Sequence, residues 1–329
     1  MRSVKFTLLG VAVLTAVAAG WLRHAWHDRP SLAAYQTLLL PAAEEGAGLR
    51  VRFMGVSTLL FEDGEAAILI DGFLSRPGLA RLLFGKVAPD EPRIEAALQR
   101  AGIDRLAAVI AVHSHYDHVM DAPAVAQRTG AVLIGSESTA NVGRGWGLAE
   151  DRLRAVEDEE TLRFGRFTVT LLRSRHAPVA SADGGVIAAP LVPPARATAY
   201  KEGGSYSVLV EHDGRRRLLV QGSAGFVEGA LQGRPAEVVF LGIGAAGKQG
   251  EAYLDAYWRE VVAATGARRV IPIHWDDFTR PLEVPLLPMP RLIDDLDATM
   301  RFLIERGQGS GIDVRLPPVW TRFDPFVRL

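Results

Sequence analysis

The chain has 329 residues, of which 48% are hydrophobic and 23% charged, and its formal net charge is -1. That length supports a substantial core, and the near-neutral balance indicates no general attraction to nucleic acid or anionic lipid. The absence of cysteine excludes disulfides, thiolate metal ligands and thiol catalysis.

The N-terminus reads as a targeting segment. Met1-Arg-Ser-Val-Lys5 is short and basic, and Phe6 to Leu22 is apolar apart from Thr7 and Thr15. Ala16-Val-Ala18 has the small-x-small form of a signal-peptidase site. Uncleaved, the 17 residues from 6 to 22 would barely span a bilayer, with Trp21 at its interface. Either way Arg2 and Lys5 stay inside and the bulk of the chain is exported. The expectation is a signal peptide or membrane anchor over residues 1–28. The protein is then extracytoplasmic, either periplasmic or tethered to the inner membrane through residues 6–22. Residues 29–47 read as a partly helical lead-in, and residues 48–329 as one domain without a linker.

Strand signals recur at 49–54, 58–61, 66–70, 106–112, 131–134, 167–172, 206–211, 217–221, 238–243 and 270–273. Helical periodicity appears at 92–101, 122–128, 251–265 and 291–306. Early hairpins followed by strand–helix alternation predict an α/β sandwich with covered sheets. Asp71 ends the third strand. It suits either a hydrogen bond that orients a ligand histidine or an Asx-type turn before Gly72.

The chemistry concentrates after the fourth strand, in His113-Ser114-His115-Tyr116-Asp117-His118. A buried strand ending in three imidazoles and a carboxylate brings nitrogen and oxygen ligands to one point. That set suits zinc, and also manganese or iron. The plain alternative is a polar loop of solvated imidazoles. His176 and His274 each follow a further apolar strand.

On the HxHxDH string, the hairpin from Gly55 to Asp71 and the two strand-end histidines, residues 48–276 resemble the metallo-β-lactamase-fold hydrolases. The similarity is to the branch with the ascorbate-phosphate lactonase and the N-acyl phosphatidylethanolamine phospholipase D. The resemblance implies a four-layer αββα sandwich with metals at one edge, between the sheets. It makes His113, His115 and His176 the ligands of a first metal, and Asp117, His118 and His274 those of a second. One position departs from the family pattern: Ser223 stands where an aspartate usually bridges the metals. Three neutral imidazoles form the ligand set of a mononuclear catalytic zinc with an open position. The expectation is therefore one tight Zn2+ and a second that is weak or absent.

Two other motifs compete for attention. Gly242-Ile-Gly-Ala-Ala-Gly247 is a GxGxxG after a strand, but no second strand ending in an acidic residue completes a dinucleotide unit. Ser223 fails the G-x-S-x-G nucleophile elbow because position 221 is Gln.

The resemblance implies a metal-dependent hydrolase using a metal-bound hydroxide on an ester, lactone or phosphodiester. Asp117 and His118 are its catalytic pair, with Asp117 orienting or deprotonating the water. Tyr116, Lys201 or His274 would donate to the developing oxyanion. Long Pro-containing loops at 177–204 and 278–290 predict a pocket for a small-molecule or lipid-like substrate. The competing expectation is a non-catalytic extracytoplasmic protein that binds metal or ligand on the same scaffold, with Ser223 marking a degraded second site.

Overall fold

Strand pairing in a computed structural model explains how distant segments meet. It describes residues 15, 17, 20–44, 46, 48–179 and 184–329. Most of the expected targeting segment, including Ala16 and Ala18, lies outside the described residues. So does the stretch 180–183 of the first long loop.

The first sheet contains β1 (Arg50–Phe53), β2 (Leu59–Glu62), β3 (Ala67–Ile70), β4 (Ala108–Ile110), β5 (Val132–Gly135) and β6 (Leu153–Ala155). The second contains β7 (Glu160–Phe164), β8 (Phe167–Ser174), β9 (Ser205–His212), β10 (Arg216–Gln221), β11 (Val238–Gly242), β12 (Arg269–Ile273) and β13 (Asp313–Val314). A last strand, β14 (Arg322–Phe323), returns to the first sheet and pairs antiparallel with β1. The strand orders are β14-β1-β2-β3-β4-β5-β6 and β13-β12-β11-β10-β9-β8-β7. From β14 and from β7, each sheet runs through three antiparallel and then three parallel pairings. The two halves thus repeat one topology that the residue pattern does not display.

β4, β11 and β12 are buried at every position, as expected for parallel strands covered on both faces. The sheets meet through aromatic side chains. Phe61 on β2 stands edge-on to Phe240 on β11 at 5.7 Å, and Phe240 also contacts Phe323 on β14. Helices cover the outer faces, giving two mixed sheets inside an α/β sandwich. Glu91–Ala101 begins on the Asp90 side chain, which accepts from Arg93 N, and ends at left-handed Gly102. Glu137–Trp146 is capped in the same way by Ser136 and Gly147.

All ten expected strands form, within a residue or two at most ends. The elements outside the expectation are short or polar. β7 alternates exposed and half-buried residues, and β13 and β14 have two residues each. Such strands exist because a partner edge is available. The helix Glu137–Trp146 contains Gly143 and Gly145, which lower its intrinsic propensity. Gly143 is needed by packing, since a Cβ there would lie 2.4 Å from Leu153.

Two helices differ from expectation. The expected 291–306 helix begins at Leu296, because Asp295 caps Ala298 N and Asp294 turns away to accept from Ala245 N. The expected 251–265 helix is α only over Glu251–Tyr257 and continues as a π-helix over Trp258–Ala263. The glycines of Gly242–Gly247 are close-approach residues. A Cβ on Gly244 would lie 2.7 Å from His274 Nδ1, and one on Gly247 would lie 2.2 Å from Asp295 O. The motif therefore lets neighbouring backbone and the His274 ring pack against this turn.

A polar cluster ties the β2–β3 turn to the second sheet. Asp63 Oδ2 lies 3.0 Å from His212 Nε2 and accepts from Arg166 Nε at 2.9 Å. Burial works against the Asp63 charge, but the N–H groups of Ala66 and Glu65, the His212 ring and Arg166 outweigh it and hold its pKa at about 2. A carboxylate with a depressed pKa contributes stability above its unfolded value near 4 and loses it as pH falls toward 2. Asp63→Asn is expected to lower stability at pH 7 by about 1–3 kcal/mol. It should also flatten the stability-versus-pH curve between pH 4 and 2, as read by urea unfolding at several pH values.

Candidate metal centre

The C-terminal ends of the strands converge at one edge of the sandwich. β4 delivers His113 and His115, and a short helix, Tyr116–Val119, then turns Asp117 and His118 inward. β8 delivers His176 and β12 delivers His274. The six side chains fall into two sets. His113, His115 and His176 bring their ligand-type atoms within 4.8 Å of one another, and so do Asp117, His118 and His274. The rings of the first set are 4.7–4.9 Å apart, centre to centre. The sets adjoin, with 3.8 Å between the ring centres of His113 and His118. In the second set His118 Nε2 lies 3.3 Å from His274 Nε2 and 3.6 Å from Asp117 Oδ2, while His274 Nε2 lies 3.5 Å from Asp117 Oδ2.

These donors fit divalent metal ions. Both ring nitrogens of His113 are buried without a hydrogen-bond partner, a costly arrangement for an imidazole unless something else takes up a lone pair. His176 Nδ1 lies 2.8 Å from Ala177 O, which fixes the tautomer and leaves Nε2 for the cluster. On His118, Nδ1 lies 2.8 Å from Asp71 Oδ2, which turns Nε2 toward the second set.

The chain matches the family model described as Beta-lactamase superfamily domain over residues 67–275. It belongs to that superfamily. Among curated relatives, the UPF0173 metal-dependent hydrolase of Myxococcus xanthus is 27% identical over 243 residues, covering 72% of this chain and 74% of the relative. That of Rhizobium leguminosarum bv. trifolii is 28% identical over 138 residues, covering 42% of this chain and 52% of the relative. The chain spans about half the length of most such relatives. Two solved structures share the fold. The metallo hydrolase Igni18 of Ignicoccus hospitalis has a TM-score of 0.50 at 16% identity, covering 84% of this chain and 98% of its own. The isothiocyanate hydrolase from Delia radicum gut bacteria has a TM-score of 0.51 at 16% identity, with the same coverages.

Within this superfamily fold, Asp71 acts as an orienting carboxylate. The strand-end turn still exists, and Asp71 has φ 59°. Its Oδ1 accepts from Val112 N at 2.9 Å, while Oδ2 takes His118 Nδ1 and a short hydrogen bond from Ser57. Ser57 was not legible as a site residue, because nothing in the sequence brings the β1–β2 turn to His118. Asp71→Asn is expected to weaken metal binding at the second set by about 10–100-fold, as read by competition with a chelating dye. The fold should survive, because an amide can still accept from Val112 N.

The electrostatics separate the sets. Burial, with the neighbouring imidazoles, pushes His113 well below the usual histidine range and His176 down to about 4. Both are neutral at pH 7 and offer lone pairs. Burial alone would lower His118, but the charges of Asp71 and Asp117 outweigh it and raise its pKa. Burial likewise disfavours the Asp117 charge, yet His118, His274 and His115 hold the carboxyl below the usual range.

Ser223 sits in the turn after β10 and lines the same cleft. Its Oγ accepts from Ala177 N at 3.0 Å, so it braces the loop carrying His176. A Cβ on Gly222 would lie 2.5 Å from Val112, and one on Gly225 would lie 2.2 Å from Arg175 O. The glycines around Ser223 therefore let the turn wedge between two ligand-bearing strands.

The cleft, into which His115, Asp117, His176 and His274 open, has a volume of about 310 Å³. Both expected long loops line it, through Ala177, Val179, Ala197 and Thr198 on one side and Phe278 and Met289 on the other. Tyr116 lies in its floor, edge-on to Phe73 at 6.0 Å and to Phe278 at 6.3 Å. Of the expected oxyanion donors, Tyr116 and His274 line the cleft, and Lys201 is not among the lining residues. Tyr200 lines it and is buried, while Lys201 is half-buried. Asp294 also lines the cleft, and the sequence held no signal for it.

Proposed function

We propose that this chain, a metal-dependent hydrolase by family, cleaves an ester, lactone or phosphodiester bond in a partly apolar substrate and uses zinc. The observation that carries the reading is the pair of three-residue ligand sets, with both nitrogens of His113 buried and unpartnered. His113, His115 and His176 would hold the first metal, and Asp117, His118 and His274 the second. Bound there, zinc supplies a Lewis acid and an activated water. The protein's own groups do the rest. Asp117 accepts a hydrogen bond from the attacking water and orients it. Asp71 and Ser57 fix the His118 ring. The Tyr116 hydroxyl, held between Phe73 and Phe278, donates to the oxygen on which charge develops. The apolar walls from Val179, Phe278 and Met289 exclude water and favour a substrate with hydrocarbon near the scissile bond. We place the enzyme outside the cytoplasm, periplasmic or tethered by residues 6–22.

The test is metal stoichiometry of the full chain by elemental analysis, purified without chelator or histidine tag. It is followed by a hydrolysis screen over aryl esters, lactones and phosphodiesters. About one zinc per chain and turnover of one of these classes is expected. A chain that takes up no metal even with added zinc overturns the reading. Ser223→Asp is a sharper probe: a carboxylate beside the second set should raise the second metal equivalent toward one. Unchanged stoichiometry in that variant would mean that position 223 does not face the second set.

A further inference from the structure

The apolar side chains left in water are not scattered evenly. Several lie on or near the segments that line the cleft. Leu292 and Ile293 are exposed, Leu287 less so, and Ile293 also lines the cleft. Phe84 is 83% exposed at the end of the helix Leu79–Phe84. That helix leads into Val87, which bridges to Ala195, two residues before cleft-lining Ala197.

A second observation says what covers this rim. The apolar run from Phe6 to Leu22 joins the domain at the same place. Residues 20–27 are helical, and Trp21 is 60% exposed on them. Asp28 O accepts from Arg291 N at 2.8 Å, and Arg29 donates to Pro288 O at 2.6 Å and pairs with buried Asp277 at 2.8 Å. The bonds to Pro288 and Arg291 fall between Leu287 and Leu292. Leu22 is thus six residues, or about 9 Å of helix, from the loop that forms one wall of the cleft. A segment of that hydrophobicity is disposed to enter a bilayer, and its attachment brings this loop to the membrane surface with it.

We propose that the mouth of the cleft docks on the lipid bilayer, with Trp21, Phe84, Leu287, Leu292 and Ile293 in the interface, so that an amphiphilic substrate enters directly from the membrane. Two of the charges beside the rim are paired, Arg291 with Asp28 at 3.4 Å and Arg93 with Glu283 at 3.6 Å. The inference rests on the tethered location proposed above and not on the hydrolytic chemistry.

The absence of cysteine makes the test clean. Leu287→Cys, Phe84→Cys and Glu65→Cys are made in the full chain, each labelled with an environment-sensitive fluorophore and reconstituted in phosphatidylcholine vesicles. Glu65 precedes β3, at the end of the sheet away from Asp71 and the cleft, and serves as the water-exposed control. Labels at 287 or 84 should be blue-shifted and quenched by nitroxide-bearing lipid at least twofold more than at 65. Rim labels quenched by aqueous iodide as fully as at 65 overturn the proposal. So does a blue shift insensitive to the lipid-borne quencher, which would mean that a second copy covers the rim. Neither readout needs metal or turnover, so a failed hydrolysis screen leaves this result intact.

Discussion

His115→Ala is expected to remove the metal of the first set and to abolish hydrolysis. His115 is one of three imidazoles that converge within 4.8 Å, and two ligands do not hold a divalent ion at a site whose other donors are neutral. The loss reaches beyond binding strength. The Lewis acid supplies several kcal/mol of charge stabilisation, so its absence costs about three decades of rate or more. Elemental analysis should show the loss of one equivalent, and turnover should fall to background over pH 6–8. His212→Ala is the control. His212 is also buried, but it serves Asp63, so that variant should lose stability and keep metal content. If His115→Ala kept full turnover, the first set would not be the catalytic centre.

Arg76→Met is expected to destabilise the fold by about 3–5 kcal/mol, because it strands a buried carboxylate. Arg76 and Asp276 pair at 2.7 Å with both side chains fully buried. Asp276 Oδ1 accepts from Val56 N at 2.7 Å, and Val56 O accepts from His274 N at 2.7 Å. The pair therefore holds the β1–β2 turn against the residue that completes the second ligand set. Val56, Arg76 and His274 all have positive φ, at 51°, 46° and 60°, a conformation that costs non-glycine residues free energy and persists when its surroundings fix it. Gly55 makes room, since a Cβ there would lie 2.0 Å from Arg76 Nη2. The melting temperature of Arg76→Met should fall by on the order of 10 °C, with weakened binding at the second set. In Arg76→Met/Asp276→Asn no charge is left stranded, and the amide still accepts from Val56 N. Much of the stability should return. A double variant as unstable as the single one would show that packing of the Arg76 side chain, and not its charge, is what matters.

The sequence was legible where a pattern repeats within a few residues. The strands β4, β11 and β12 announce themselves as continuous apolar runs, and His113 to His118 as a ligand string, because one strand end presents them all. The oxyanion donor was legible only as a choice among Tyr116, Lys201 and His274. Nearness along the chain to a cleft-lining loop does not say which side chain turns inward, and Tyr200 does. The late start at Leu296 was missed because a helical spacing from 291 onward ignores the capping carboxylate of Asp295. Ser57 and Arg76 carried no signal, since an isolated Ser or Arg in a loop is usually solvated.

By itself the sequence determined an α/β sandwich with covered sheets and the ligand string from His113 to His118, because strand periodicity and ligand chemistry are local properties. His176, His274 and the departure at Ser223 came from the resemblance to the metallo-β-lactamase-fold hydrolases. Only the tertiary structure decided how closely the two sets adjoin, that Asp71 and Ser57 fix His118, and that a buried ion pair holds His274. It also placed the base of the N-terminal segment at the rim of the cleft. The longest of those relations join residues more than 250 positions apart in the chain. They depend on which strand ends meet at the sheet edge and on which charges burial forces to pair.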